Sequence, residues 1–208
     1  MTPPTGPDHY FSPKPTSPSR RRWVRLAVGE RVFEFATDRG VFSYGAVDRG
    51  TRLLLEALEV HPGDEVLDVG CGYGVVGIVA AARVPQGRAV LVDVNQRAVA
   101  LSRENAQHNR VHNVEVLAGD LYGPVRGRRF DVVVTNPPIR AGRAVLRALV
   151  EGAREHLRPG GRFYLVARTA QGARTLGRMV GEVFGNVQEV ARGGGYRVYR
   201  AVREAGGV

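Results

Sequence analysis

The stretch VLDVGCGYG, Val66–Gly74, decides the fold. An apolar, β-branched run passes through Asp68 into glycines at Gly70, Gly72 and Gly74. A run of that kind ending in a glycine loop is how a buried parallel strand hands over to a helix. Glycines there let the backbone turn sharply and let a ligand lie directly against it. The pattern predicts a helix from Val75, whose N-terminal amides open onto the same spot. Ligands of open α/β sheets sit in this crevice, outside the carboxyl ends of the strands. The loop therefore predicts a nucleoside-containing cofactor.

Two cofactor classes compete for it. A dinucleotide fingerprint needs G-x-G-x-x-G, with the third glycine packing helix on strand. Val75 occupies that third position. No G-x-x-x-x-G-K-[ST] phosphate loop occurs anywhere in the chain. The loop instead follows D-x-G-x-G-x-G, the pattern of S-adenosylmethionine sites, at Asp68, Gly70, Gly72 and Gly74, with Cys71 between the first two glycines. A carboxylate ahead of the glycines suits a cofactor carrying an α-amino group and would repel a pyrophosphate.

Further acids stand at the next strand ends. GRAVLVDVN, Gly87–Asn95, reads as a buried strand with Asp93 and Val94 at its tip, where an acid can accept both ribose hydroxyls. The strand Asn113–Leu117 runs into AGDLY, which puts Asp120 and Leu121 at its tip, within reach of an adenine amine. Any one of these acids alone reads as a cap or loop residue. Three at consecutive strand tips make a site.

The fourth strand carries the chemistry. RFDVVVTNPPIRAG, Arg129–Gly142, is a buried strand followed by Asn136, Pro137, Pro138 and Ile139. Two prolines cannot extend a central strand and have no N–H, so their fixed φ angles hold carbonyls in one direction. An Asn side chain adds one acceptor and two donors. Together these groups can accept both hydrogens of a planar exocyclic amine while holding its nitrogen towards a methyl donor.

These motifs, in this order, resemble those of class I S-adenosylmethionine-dependent methyltransferases that modify amino groups. More narrowly, Asn136–Gly142, the upstream GVFSYGAVDRGTRLLLEAL, Gly40–Leu58, and the opening HYFSPKPTSP, His9–Pro18, resemble the small-domain family that includes ribosomal RNA guanine-N2 methyltransferases. The resemblance covers about residues 9–203. It implies a Rossmann-like, mostly parallel sheet with helices on both faces. It also implies that Phe42 and Asp48 begin a segment passing over the cofactor. Ile139 stands where many amino-methylating relatives place Tyr or Phe to stack on the target base; it offers an apolar wall instead.

Net charge is +10 over 208 residues, the electrostatic footprint of a nucleic-acid partner. Arg140 and Arg143 flank the Asn-Pro-Pro turn and are expected to contact substrate RNA phosphates. The clusters Arg20–Arg22 with Arg25, and Arg126 with Arg128 and Arg129, read equally well as solvated faces or as RNA contacts. No 18-residue apolar run and no signal-peptide core occur, so the expectation is a cytoplasmic protein with no membrane partner. His108 and His112 have i, i+4 spacing but no third ligand nearby, and no metal site is expected.

Residues 1–18, rich in Pro, Ser and Thr, read as a flexible arm, and residues 19–208 as one methyltransferase domain. Trp23–Val28 and Arg31–Ala36 read as a hairpin around Gly29-Glu30. Helices are expected at Thr51–Glu59, Val75–Arg83, Gln96–Asn109, Gly142–Leu157 and Ala170–Val183. Strands are expected at Arg162–Ala167, Phe184–Val190 and Tyr196–Val202, the last pair as an antiparallel hairpin around Arg192–Gly195. The expected reaction is methyl transfer from S-adenosylmethionine to guanine N2 of ribosomal RNA. The residues leave open another amine (protein glutamine, a tRNA base or a small molecule) and a non-catalytic cofactor-binding RNA assembly factor.

Overall fold

The computed structural model describes residues 17–205. A hairpin of β1 (Arg22–Val28) and β2 (Arg31–Thr37) precedes α1 (Arg49–Ala57). Then follow β3 (Glu65–Val69), α2 (Val75–Arg83), β4 (Arg88–Asp93), α3 (Gln96–His108) and β5 (Val114–Ala118). The second half holds β6 (Phe130–Thr135), α4 (Arg143–His156), β7 (Leu157–Arg168), α5 (Ala173–Phe184), β8 (Gln188–Gly193) and β9 (Tyr196–Val202). Seven strands form one sheet in the order β5-β4-β3-β6-β7-β9-β8. The first five are parallel, and β9 pairs antiparallel with both β7 and β8.

The sheet is buried because its strands carry apolar residues on both faces. In β3, Val66 belongs to one hydrophobic cluster, while Leu67 and Val69 belong to the other. The same alternation runs through β6, where Val132 and Val134 face one way and Val133 the other. Successive side chains of a strand point to opposite faces, so a continuous Val/Leu run feeds two cores. α1, α2 and α3 supply Leu54, Ile78, Val79 and Leu101 to the first cluster. α4 and α5 supply Leu149, Val150, Leu176 and Val180 to the second. After β3 the sheet grows towards β5, and from β6 it grows the other way. The gap between the carboxyl ends of β3 and β6 is thus a topological switch point, where an open sheet parts to admit a ligand.

Several element boundaries differ from the sequence reading; β7, expected from Arg162, begins at Leu157. Helix α1 starts at Arg49, two residues early, because Asp48 caps it by accepting from the Thr51 amide. Helix α5 starts only at Ala173, since Gly172 at φ +89° separates it from a short 3-10 turn at Thr169–Gln171. The expected strand Phe184–Val190 begins at Gln188 instead; Phe184 is the last residue of α5, which Gly185 ends in the left-handed region. Of the arm expected at residues 1–18, residues 1–16 lie outside the described residues, as does most of the opening motif His9–Pro18. Ser17 is held by Arg97, whose guanidinium donates to the Ser17 carbonyl at 2.9 Å.

Candidate active site

The glycine loop closes over the end of β3. Gly70 and Gly72 lie at φ +73° and +56°, and Gly74 at +94°, a region that only glycine enters without strain. A Cβ on Gly70 or Gly72 would meet nothing within 4 Å, so the loop backbone faces open space. On Gly74 a Cβ would come within 2.8 Å of Ile78 and 2.9 Å of Ser102 Oγ, so the glycine here also serves packing.

The loop is held from three sides. The Gly70 amide donates to the Val92 carbonyl at 2.8 Å, and the Gly72 amide to Asp93 Oδ2, also at 2.8 Å. Ser102 Oγ donates to the Gly72 carbonyl at 2.9 Å. Asp68, buried beneath the loop, accepts the Gly77 amide of α2 at 2.8 Å and so supplies the cap that Gly74 cannot. Burial pushes the Asp68 carboxyl up to about 7, opposed by the Gly77 amide and reinforced by the charge of Asp93. Burial likewise raises Asp93 to about 6, against the amides of Asn95, Gly72 and Val94. Both shifts are chiefly the cost of burying a carboxylate. The Cys71 thiol is buried and pushed up by the same environment, which keeps it protonated and unreactive.

Two adjoining cavities open on the loop. The larger, about 410 Å³, is lined by Gly70, Gly72, Asp93, Val94, Asp120 and Leu121 at the tips of β3, β4 and β5, and by Asn136 and Pro138 at the tip of β6. Val145 and Leu149 of α4 close its far wall. The smaller, about 30 Å³, lies at Asp68, Cys71 and Tyr73. Phe42, Gly70, Gly72 and Asn136 border both. The segment carrying Phe42 is fastened by Asn95, the cap of α3, whose Nδ2 donates to the Gly40 carbonyl at 2.7 Å.

Asn136 stands where the two cavities meet. Its Nδ2 donates to Asp48 Oδ2 at 3.2 Å and to Thr51 Oγ1 at 3.1 Å. The Pro138 carbonyl accepts the Ala141 amide at 2.8 Å within a 3-10 turn over Ile139–Ala141. That leaves Asn136 Oδ1 and the Pro137 carbonyl as acceptors without a donor among the described residues. Pro137 is buried and Ile139 half-buried against the α4 face of the core, while Arg140 and Arg143 are exposed on the rim.

The structure thus brings Phe42, Asp68, Gly70, Cys71, Gly72, Asp93, Val94, Asp120, Leu121, Asn136 and Pro138 to the cavity walls. Asp48, Gly74, Pro137, Ile139, Arg140 and Arg143 stand behind or beside those walls. Sequence reasoning missed Thr51, Asn95, Ser102 and Tyr196, all of which bond to site residues or to the segment over the site. The one signal available was the D-x-x-T pattern at Asp48 and Thr51, which reads as a helix start. Of the arginine clusters, Arg21, Arg25 and Arg128 pair with Glu104, Glu34 and Glu115. Among the described residues no group of three or more His, Cys, Asp or Glu could hold a metal ion, and no helix is long and apolar enough to cross a membrane.

The profile of the methyltransferase small domain matches residues 32–200. The chain belongs to the methyltransferase small domain family. Uncharacterized protein YbxB of Bacillus subtilis (strain 168) is 39% identical over 197 residues, 93% of this chain and 98% of that one. Ribosomal RNA small subunit methyltransferase C of Erwinia tasmaniensis is 34% identical over 194 residues, 91% of this chain and 55% of the relative. The T. thermophilus 16S rRNA N2 methyltransferase, solved in complex with AdoMet and guanosine, superimposes with a TM-score of 0.80 at 31% identity, over 91% of this chain and 52% of that one. The chain therefore spans about half the length of the small subunit methyltransferase C relatives and nearly all of YbxB. The Rossmann-like class I sheet, the enzyme class and the cofactor expected from the sequence agree with this family.

Proposed function

We propose that the chain is an S-adenosylmethionine-dependent methyltransferase, cytoplasmic, that modifies the exocyclic N2 amine of a guanine in ribosomal RNA. The observation that carries this reading is the Asn136 carboxamide. Its two N–H groups are spent on Asp48 and Thr51, so its oxygen is the atom left to meet an amine.

The residues present fit the cofactor. The space over Gly70 and Gly72, which a Cβ would enter, admits a ligand against the loop backbone. In this reading Asp93 accepts the ribose hydroxyls, Asp120 and Leu121 border the adenine, and Asp68, which lines the smaller cavity, meets the cationic amino group. Burial raises both Asp68 and Asp93, and a cation or hydroxyl donors beside them would favour their charged forms.

Bound there, the cofactor would supply a methyl group on a cationic sulfur: an N–C bond would replace the S–C bond, whose electron pair would stay on sulfur, and the amine would give one proton to water. The protein supplies position and electrostatics. Guanine N2 is a poor nucleophile because its lone pair is delocalised into the ring. Asn136 Oδ1 and the Pro137 carbonyl, by accepting its two hydrogens, localise that pair and aim it. Both acceptors also stabilise the positive charge that develops on nitrogen. No strong base is required, which agrees with cavities that no histidine lines among the described residues. Val145 in the cavity wall, with Ile139 beside it, offers the base an apolar surface in place of an aromatic face. The base must be unstacked to enter. In this reading Arg140 and Arg143, exposed beside the turn, hold the flanking phosphates.

Incubation with methyl-labelled S-adenosylmethionine and separate pools of ribosomal RNA, tRNA and protein tests this reading. Label in ribosomal RNA, recovered as N2-methylguanine, is expected. Label only in protein, tRNA or small molecules would reassign the acceptor, and RNA binding without any transfer would favour an assembly factor.

A further inference from the structure

Behind Asn136 runs a chain of hydrogen bonds that ends far from the cofactor motifs. Asp48 Oδ2 accepts from Asn136 Nδ2 at 3.2 Å and from the Thr51 amide at 3.1 Å. Asp48 Oδ1 accepts from the Tyr196 hydroxyl at 2.9 Å. Tyr196 is the first residue of β9, entered through the Gly193–Gly195 turn, and its ring packs against Gly50: a Cβ on that glycine would be 2.6 Å from it. Burial and the neighbouring Asp48 both hold the Tyr196 phenol protonated, so it remains a donor. Three residues from two other parts of the chain thus converge on the Asn136 carboxamide, Asp48 and Thr51 directly and Tyr196 through Asp48. Asp48 lines neither cavity.

The chemistry of a carboxamide makes this convergence matter. Its oxygen and nitrogen are nearly the same size, so packing alone does not decide which faces the cavity. Turned over, Asn136 would set its oxygen against the Asp48 carboxylate and offer N–H donors to an incoming amine, which has donors of its own. In the observed orientation the carboxylate receives the N–H, and hydrogen bonds in series polarise one another, so Oδ1 becomes a better acceptor.

We infer that Asp48, Thr51 and Tyr196 are positioning residues that lock the Asn136 side chain with its oxygen towards the amine to be methylated, and that the C-terminal hairpin completes the active site by supplying Tyr196. The inference rests on the proposed function for the role of that oxygen, but the lock itself is a property of the protein without any acceptor.

Tyr196→Phe and Asp48→Asn test it, the second keeping a residue able to cap α1. Two measurements separate the lock from the reaction. In the ligand-free protein, the Asn136 side-chain amide signals in a 15N NMR spectrum should shift in both variants, with faster exchange of their protons with water. In methyl transfer at saturating cofactor, kcat should fall roughly tenfold, a fraction of what losing a charge-stabilising group costs. S-adenosylmethionine Kd should stay within about twofold, since neither side chain lines the cavities, and Tyr196→Phe should slow an Asn136→Ala enzyme no further. Unchanged Asn136 signals in both variants would overturn the lock. So would a raised cofactor Kd with kcat intact, which would make Asp48 a cofactor ligand. Shifted signals in a protein that methylates no acceptor would uphold the lock and overturn the proposed function alone.

Discussion

Asp93 and Gly72 are joined by a 2.8 Å hydrogen bond from the glycine amide to the carboxylate, so the acid at the tip of β4 fixes the loop that leaves β3. One side chain thereby shapes the glycine cradle and borders the larger cavity. Asp93→Ala should remove both the loop anchor and the ribose acceptor, weakening S-adenosylmethionine by roughly 1.5–3 kcal/mol, the range for hydrogen bonds to charged groups. Calorimetry measures this directly; an unchanged Kd would separate Asp93 from the cofactor.

The glycine loop also makes a prediction about stability. Gly74→Ala puts a Cβ at φ +94° against Ile78 and Ser102, and should cost about 1–3 kcal/mol from backbone strain alone, with the contact adding to it. Gly29→Ala, at φ +58° in the β1–β2 turn with nothing within 4 Å, carries strain without the clash. Urea unfolding should rank Gly74→Ala below Gly29→Ala, and only the former should weaken cofactor binding.

The pH dependence follows from the raised acids. In the folded, ligand-free protein Asp68 sits at about 7 and Asp93 at about 6, both above the ordinary carboxylate value. The folded state then holds protons that the unfolded chain has already released, so the stability linked to these groups is present at low pH and is lost as pH rises through about 6 and 7. The thermal stability of wild type relative to Asp68→Asn should therefore decline between pH 4.5 and 7.5. Cofactor binding needs the carboxylates charged and should run the opposite way, tightening over the same interval. A cofactor affinity flat from pH 5.5 to 7.5 would count against Asp68 and Asp93 as its partners.

Neither Arg140 nor Arg143 pairs with an acid among the described residues, and both are exposed beside the catalytic turn. RNA binding that releases counterions weakens steeply with salt. Replacing both with Gln should reduce the salt slope by about one to two, raise the RNA KM and leave cofactor Kd unchanged. An unaltered slope would move the RNA contact elsewhere on the surface.

Much of this was legible in the chain because the fold is written in short-range patterns. The buried strands β3, β4 and β6 are continuous Val/Leu runs, and each ends in a residue that cannot continue a strand: Gly70, the Asp93–Asn95 cap, or Pro137. Less legible was the start of β7 at Leu157. The sequence pattern predicts it only from Arg162, yet Pro159, Gly160 and Gly161 extend the strand, with the Gly160 amide donating to the Arg203 carbonyl and the Arg203 amide to the Gly161 carbonyl. The partners of Asn136 were out of reach altogether. Asp48 precedes it by 88 residues, and the Tyr196–Asp48 bond spans 148. No local pattern encodes such contacts; they exist only once α1 and β9 have packed around β7.

The central claim is that Asn136 is where methyl transfer happens, and Asn136→Ala tests it most directly. With S-adenosylmethionine affinity measured by calorimetry and transfer to ribosomal RNA measured in a single turnover, the variant should bind cofactor within a few-fold of wild type and transfer methyl roughly 100-fold more slowly or worse. Equal single-turnover rates for variant and wild type would show that the Asn-Pro-Pro turn is merely structural and would contradict the account.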